Sequence, residues 1–295
     1  MRSARPPSRP TSIRIFLADG SPDGIRVVGK SNWTGQAVVA GRSQTAEALR
    51  REELGRPGIY VLLGPGAGGE GRIYIGEADV LADRLRQHAS GKDFWTRFIA
   101  FTSSDGSLNK AHVRYLESRL IGLARQANQW EVENSVTPVL PPLSEPDRAD
   151  AEGFLAEALL IYPVLGVDAF EPASTERSVD EVGDDLILAE RGAAGRARET
   201  SDGFVVLQGS RARATETESI HAYLSEQRRQ LLDRGVLRRD GEHLVFTQDF
   251  RFTSPSTAAG VLVGGAANGR RAWKTPNGVP LATVQDRRAG ANEGS

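Results

Sequence analysis

The sequence predicts an α+β protein of more than one domain, and three observations carry that prediction. Two runs rich in β-branched and aromatic residues, Ile59-Tyr60-Val61-Leu62-Leu63 and Arg72-Ile73-Tyr74-Ile75-Gly76, flank a glycine-rich stretch at 64–71, as the strands of a hairpin would. Between residues 109 and 128, Val113, Leu116, Leu120, Leu123, Ala124 and Ala127 recur at the spacing of one helix face. At 295 residues and 39% hydrophobic content, the chain can fill one generous core or two or three modest ones, and its length favours several domains.

Taken in order, residues 1–11 are basic and proline-rich without the apolar centre of a signal peptide, and are expected to form a disordered arm. In residues 12–55, the runs Ser12-Ile13-Arg14-Ile15-Phe16-Leu17 and Ile25-Arg26-Val27-Val28 flank an Asp-Gly-Ser-Pro-Asp-Gly turn. This is hairpin chemistry, which Trp33 and Gln36-Ala37-Val38-Val39 extend into a small β-rich module with no assignable chemistry.

Residues 56–140 form the central domain. Gly58-Ile59-Tyr60 and Tyr74-Ile75-Gly76 set two phenols on neighbouring strands, either as core tyrosines or as parts of a site. A short helix follows, with Asp79 as the expected N-cap and Gly91 as the expected stop. Arg84 and His88 lie four residues apart on its inward side, where cations need a partner, and a shared phosphate would supply one. Glu117 falls inside the apolar stripe of the long helix, so its carboxylate needs a cation. That cation is either an arginine such as Arg84 or a divalent metal. Asn134, beyond the helix, reads on its own as a turn residue.

Together, Tyr60, Tyr74, Arg84, Glu117 and Asn134 resemble, in order and spacing, the GIY-YIG nuclease family, over approximately Gly58 to Pro138. The resemblance implies a small sandwich-like α/β nuclease domain, a three-stranded antiparallel sheet flanked by helices, with Phe98-Ile99-Ala100-Phe101 as the third strand. It also implies metal-dependent DNA endonuclease activity, with phosphodiester hydrolysis using one Mg²⁺ (or Mn²⁺) held by Glu117. In that scheme Arg84 clamps the phosphate, Tyr60 orients or deprotonates the water, and Tyr74 bonds a phosphate oxygen or Tyr60. His88, which matches a histidine that only some members carry, assists proton movement, and Asn134 positions Glu117 or the backbone. The alternative is a catalytically silent DNA-binding or regulatory protein on the same fold.

The absence of cysteine excludes disulfides, a thiol nucleophile and Cys-ligated zinc, and suits a reducing cytoplasm. No apolar run is long enough to span a bilayer, so no membrane association is expected. The net charge of −1 hides an uneven distribution: +4 over 1–55, +1 over 56–140, −9 over 141–200 and +3 over 201–295. The acidic stretch reads as a helical extension packed on the central domain (141–168), then an acidic linker (169–200). Residues 201–285 read as a C-terminal α+β domain with strands at 204–207 and 244–247, a charged helix at 215–233, and a tail at 286–295. Within it, Ser254-Pro255-Ser256, Gly264, Asn268-Gly269 and Trp273 resemble an uncharacterised module often found at the C-terminus of GIY-YIG proteins. Ser254 is its expected helix cap, and its aromatics are expected in the core.

Overall fold

A computed structural model describes residues 10–66, 70–172, 185–200, 203–218 and 220–291. Most of the expected N-terminal arm and residues 173–184 of the expected linker lie outside the described residues. The chain divides into two compact units. The first takes the chain up to Pro65 with Arg72–Arg125 and Val132–Phe170; the second takes the chain from Glu171 with the short segments 66–71 and 126–131.

In the first unit, β1 (Ile13–Leu17), β2 (Arg26–Lys30) and β3 (Gly35–Gly41) are followed by the short helix α1 (Thr45–Ala48), then β4 (Gly58–Pro65) and β5 (Gly71–Ala78). Helix α2 (Leu81–Gly91), β6 (Arg97–Ser103), α3 (Lys110–Ala127), β7 (Glu131–Val132) and α4 (Glu145–Val164) complete it. The expected hairpin turn forms between β1 and β2, where Asp19 accepts the Ser21 N–H at 3.0 Å and Gly20 takes φ +74°.

All seven strands join one sheet in the order β1-β2-β3-β6-β4-β5-β7. The expected three strands are its β6-β4-β5 segment, but they do not stand alone. The N-terminal strands continue the same sheet, with β3 paired antiparallel to β6 from Gly35↔Ser103 to Gly41↔Arg97. The reason lies in β6: Phe98, Ile99, Ala100 and Phe101 are fully buried, and without β3 this apolar strand would be an open edge.

The register decides what faces α2. Tyr60 sits opposite Ala100, and Ala100 opposite Val38, so small neighbours leave room for the phenol on the face that packs against Leu81 and Leu85 of α2. On the other face, the Phe101 ring lies 5.0 Å from Tyr162 of α4, as expected for a helix packed on this domain.

The second unit contains β8 (Leu186–Glu190), β9 (Ala193–Thr200), β10 (Gly203–Val206), β11 (Arg211–Arg213), α5 (Ala222–Asp233), β12 (Leu237–Asp240), β13 (His243–Phe246) and β14 (Phe250–Phe252). Helices α6 (Pro255–Val263), α7 (Gly269–Ala272) and α8 (Leu281–Ala291) follow. Its sheet runs β12-β13-β11-β9-β10-β14, with β8 added on β9.

Three expectations are corrected here. Residues 186–200, expected in the linker, form the β8–β9 hairpin, closed by Arg191 and Gly192 at φ +52° and +83°, the positive values a two-residue turn requires. Leu186, Leu188, Ala193 and Ala197 alternate inward, and most of the charged residues lie between them. The helix expected from 215 begins only at Ala222, and residues 286–291 of the expected tail lie in α8. The α6 start is as expected: Ser254 Oγ accepts the Thr257 N–H at 3.1 Å, Pro255 opens the helix, and Gly264 closes it at φ +66°. Trp273 is fully buried, with its Nε1 donating to the Pro255 carbonyl at 3.0 Å.

Candidate active site

The glycines of both tripeptides are dictated by what lies against them. A Cβ at Gly58 would sit 2.2 Å from the Phe101 carbonyl oxygen, and one at Gly76 would sit 2.2 Å from Tyr60 Oη. Gly76 thus lets β5 pass under the Tyr60 phenol, while Tyr74 stands beside it, ring centroids 6.3 Å apart.

Helix α2 supplies the next two groups. It buries Leu81, Ala82, Leu85 and His88, and its N-cap is Val80 rather than the expected Asp79, whose carboxylate pairs with Lys110 Nζ at 3.0 Å. His88 Nε2 lies 2.7 Å from Tyr60 Oη, and the His88 ring meets Tyr74 edge-on at 5.1 Å. One turn earlier, Arg84 donates to Gln87 Oε1 at 2.9 Å. Burial works to lower the Arg84 pKa, yet the Tyr60 and Tyr74 phenols beside it hold it above the usual value.

Tyr60, Tyr74, Arg84 and Glu117 line one cleft of about 480 Å³, together with Glu77, Asp79, Gln87 and Lys110. Among the described residues, Glu117 makes no hydrogen bond or ion pair; Arg84 is not its partner. Burial, and then the like charge of Glu77, push the Glu117 carboxyl up to about 7. Burial, and then Arg84 and Lys92, push His88 down to about 4, so its imidazole is neutral at pH 7. Burial also raises the Tyr60 phenol well above its ordinary value, reinforced by Tyr74 and opposed by Arg84, so the phenol keeps its proton.

Asn134 stands apart from the cleft. Its Oδ1 accepts the Ile75 N–H at 2.9 Å and its Nδ2 donates to the Ile75 carbonyl at 2.7 Å, so the whole amide is spent on the backbone between Tyr74 and Gly76. Of its two expected tasks, holding the backbone is the one its geometry permits, which makes it a positioning residue.

Three neighbours were not singled out from the sequence. Glu77 directly follows Gly76. Lys110 precedes Glu117 by seven residues, two turns along one face of α3, and pairs with Glu77 at 3.2 Å. Lys92 Nζ lies 4.5 Å over the Tyr74 ring. The helical spacing of Lys110 was readable; the reach of Lys92 back to Tyr74 was not.

No group of three or more acidic or histidine side chains able to hold a metal occurs among the described residues. Four carboxylates line the cleft: Glu117 is desolvated and unpaired, Glu77 and Asp79 face Lys110, and Asp83 pairs with Arg86. That donor set fits a cation that keeps most of its own waters, as Mg²⁺ does, and not one caged wholly by protein.

Residues 186–285 match the family model described as "Domain of unknown function (DUF4357)", which runs from β8 into the first turn of α8 and includes none of the cleft residues. No GIY-YIG family model matches the chain, so the resemblance at residues 58–138 stands on the residues and geometry above. No curated protein matches the chain. No solved structure matches it either.

Proposed function

We propose that the first unit is a divalent-metal-dependent endonuclease acting on DNA phosphodiesters. The observation that carries the reading is the Tyr60–His88 contact at 2.7 Å, at the wall of a cleft that also holds Arg84 and an unpaired Glu117. A phosphodiester entering this cleft meets a guanidinium able to donate two parallel hydrogen bonds to its oxygens, and that charge strengthens its hold as the transition state accumulates negative charge.

The neutral imidazole is suited to receive a proton. In the tautomer protonated at Nδ1, His88 Nε2 accepts from Tyr60 Oη–H, and Oη in turn can take a proton from a water on the cleft side. Water oxygen attacks phosphorus, the bond to the leaving oxygen breaks, and the abstracted proton ends on His88. Arg84 is one of the charges that hold His88 near 4, so neutralising it with phosphate raises the basicity of the imidazole when substrate is present. A Mg²⁺ held by Glu117 would supply charge stabilisation to the leaving oxygen. Lys110 and Glu77 border that side of the cleft, and Tyr74 adds a hydroxyl.

The test is nicking of supercoiled plasmid with Mg²⁺ and with EDTA, by the full chain and by Glu117→Ala. The expected result is nicking only with metal, abolished in the variant, whose duplex binding measured in EDTA stays within a few-fold. Undiminished nicking by Glu117→Ala would overturn the assignment. Binding without any nicking would favour a catalytically silent DNA-binding protein.

A further inference from the structure

The second unit has one face of its sheet covered by helices; the other is open over β8, β9, β11, β12 and β13, while on β10 the outward Val205 is buried. Leu186, Leu188, Ala193, Ala197, Ala212, Leu244 and Phe246 point into the core with α5 and α6, so the residues between them point outward. In-register pairing lines the outward residues up across five strands: Arg238 opposite Val245, Val245 opposite Arg211, Arg211 opposite Ala194, Ala194 opposite Ala189. At about 4.8 Å per strand this row is roughly 19 Å long, with arginines on β12 and β11 and two alanines forming a low stretch beyond them.

Ala189 then lines a cavity of about 460 Å³ with Arg271 and Lys274. Arg211, Arg238, Arg271 and Lys274 are exposed, and none has an ion-pair partner among the described residues. On the two rows that follow along β9, Arg196 and Arg198 share one carboxylate, Asp185, at 2.5 and 2.6 Å. Among the described residues, the acids on or beside this surface are Asp185, Glu190, Asp240 and Glu242, against the cations Arg196, Arg198, Arg211, Arg238, Arg271 and Lys274. By contrast Arg229 and Arg270, on the helical side, are each paired, with Glu226 and Asp233 and with Asp286.

We propose that this bare face is a binding surface for the phosphate backbone of duplex DNA. The inference rests on the reading of the first unit's substrate as DNA and extends it to where that substrate is held. Unpaired, exposed arginines in a row match a polyanion with regularly spaced phosphates, and each contact made releases condensed counterions. Among the described residues, β8, β9, β11, β12 and β13 present no tyrosine, tryptophan or phenylalanine outward, so the face offers no platform for stacking single-strand bases and favours contact with a paired duplex. Phosphate contacts of this kind position DNA without reading its sequence.

The test is duplex binding by the full chain in EDTA, measured by fluorescence anisotropy on a labelled duplex of about 25 base pairs over a salt series. Two variants of equal charge change are compared: Arg211→Gln with Arg238→Gln on the bare face, and Arg229→Gln with Arg270→Gln on the helical side. The bare-face variant is expected to bind about tenfold or more weakly at 100 mM salt, with the log–log salt slope reduced by about two, while the helical-side variant stays within twofold. Equal binding by wild type and both variants overturns the proposal, as does a loss of equal size in both or the absence of any duplex binding. Binding is measured without metal and so without cleavage. Bare-face loss in a chain that never nicks plasmid leaves this surface standing and removes the nuclease reading; nicking with unchanged bare-face binding does the reverse.

Discussion

At the scale of single residues, the two glycines beside the tyrosines carry much of the geometry. Gly76→Ala would place a methyl 2.2 Å from Tyr60 Oη, so either the phenol swings away from His88 or β5 shifts. A cost of about 1–3 kcal/mol follows from overpacking of this kind, together with loss of nicking. At Gly91, the last residue of α2, a Cβ would meet nothing within 4 Å, so Gly91→Ala should be neutral or stabilise by up to ~1 kcal/mol. Melting curves of both variants check the contrast, and a Gly76→Ala chain as stable and active as wild type would show that the phenol does not need this approach. Glu117 gives a second residue-scale prediction. Its carboxyl is raised to about 7 in the folded chain against 4.5 ordinarily, so between those values the folded state holds a proton that the unfolded state has lost. Raising the pH through that window therefore costs stability. Without divalent metal, Glu117→Gln should melt higher than wild type by a margin that grows from pH 5 to pH 8. At pH 8, added Mg²⁺ should raise the wild-type melting temperature and leave the Gln variant unmoved. A margin that does not change with pH would mean that Glu117 is not desolvated as the cleft geometry implies.

At the scale of elements, the sequence was most legible where an apolar pattern ends in a distinctive turn or cap residue. The strands holding Tyr60 and Tyr74, the third strand through Phe98, the helix carrying Glu117 and the Ser254 cap were all readable, because each combines a strong apolar pattern with a distinctive turn or cap residue. The β8–β9 hairpin was not, since its buried positions on β9 are Ala193, Gly195 and Ala197, too small to stand out among the acids and arginines between them. Asp79 was misread as a cap because its pull toward Lys110 depends on α3, thirty residues away in sequence. Asn134 looked like a turn residue and proves to be a side-chain extension of β5, making both backbone hydrogen bonds of Ile75. Asn134→Ala leaves those two backbone groups without partners, and a loss of about 1–3 kcal/mol in urea unfolding is expected. As a positioning residue it should lower the nicking rate without moving the pH profile, whereas a displaced profile would place its amide in the proton path.

At the scale of the whole first unit, the seven-stranded sheet makes a prediction that a separate N-terminal module would not. If residues 12–55 were an independent module resting on the central domain, deleting them would leave that domain folded. The register says otherwise. Val38 and Ala40 belong to the same core cluster as Tyr60, Leu62 and Ala100, and β3 covers the full length of β6. Two deletions in the full chain separate the possibilities. Removing residues 1–30 takes away β1 and β2 but leaves β3 paired to β6, so the Tyr60 side of the sheet keeps its neighbours; some stability is lost with Ile25 and Val28, both buried. Removing residues 1–41 takes β3 as well and opens an edge of four fully buried residues, Phe98 to Phe101, to solvent and to other chains. The first deletion should keep the oligomeric state of the intact chain and retain measurable nicking with a lowered melting temperature. The second should aggregate or lose its cooperative transition. If both deletions instead melt like the intact chain, β3 is an accessory strand, and the core around Tyr60 is sustained by β4, β5, β6 and α2 alone.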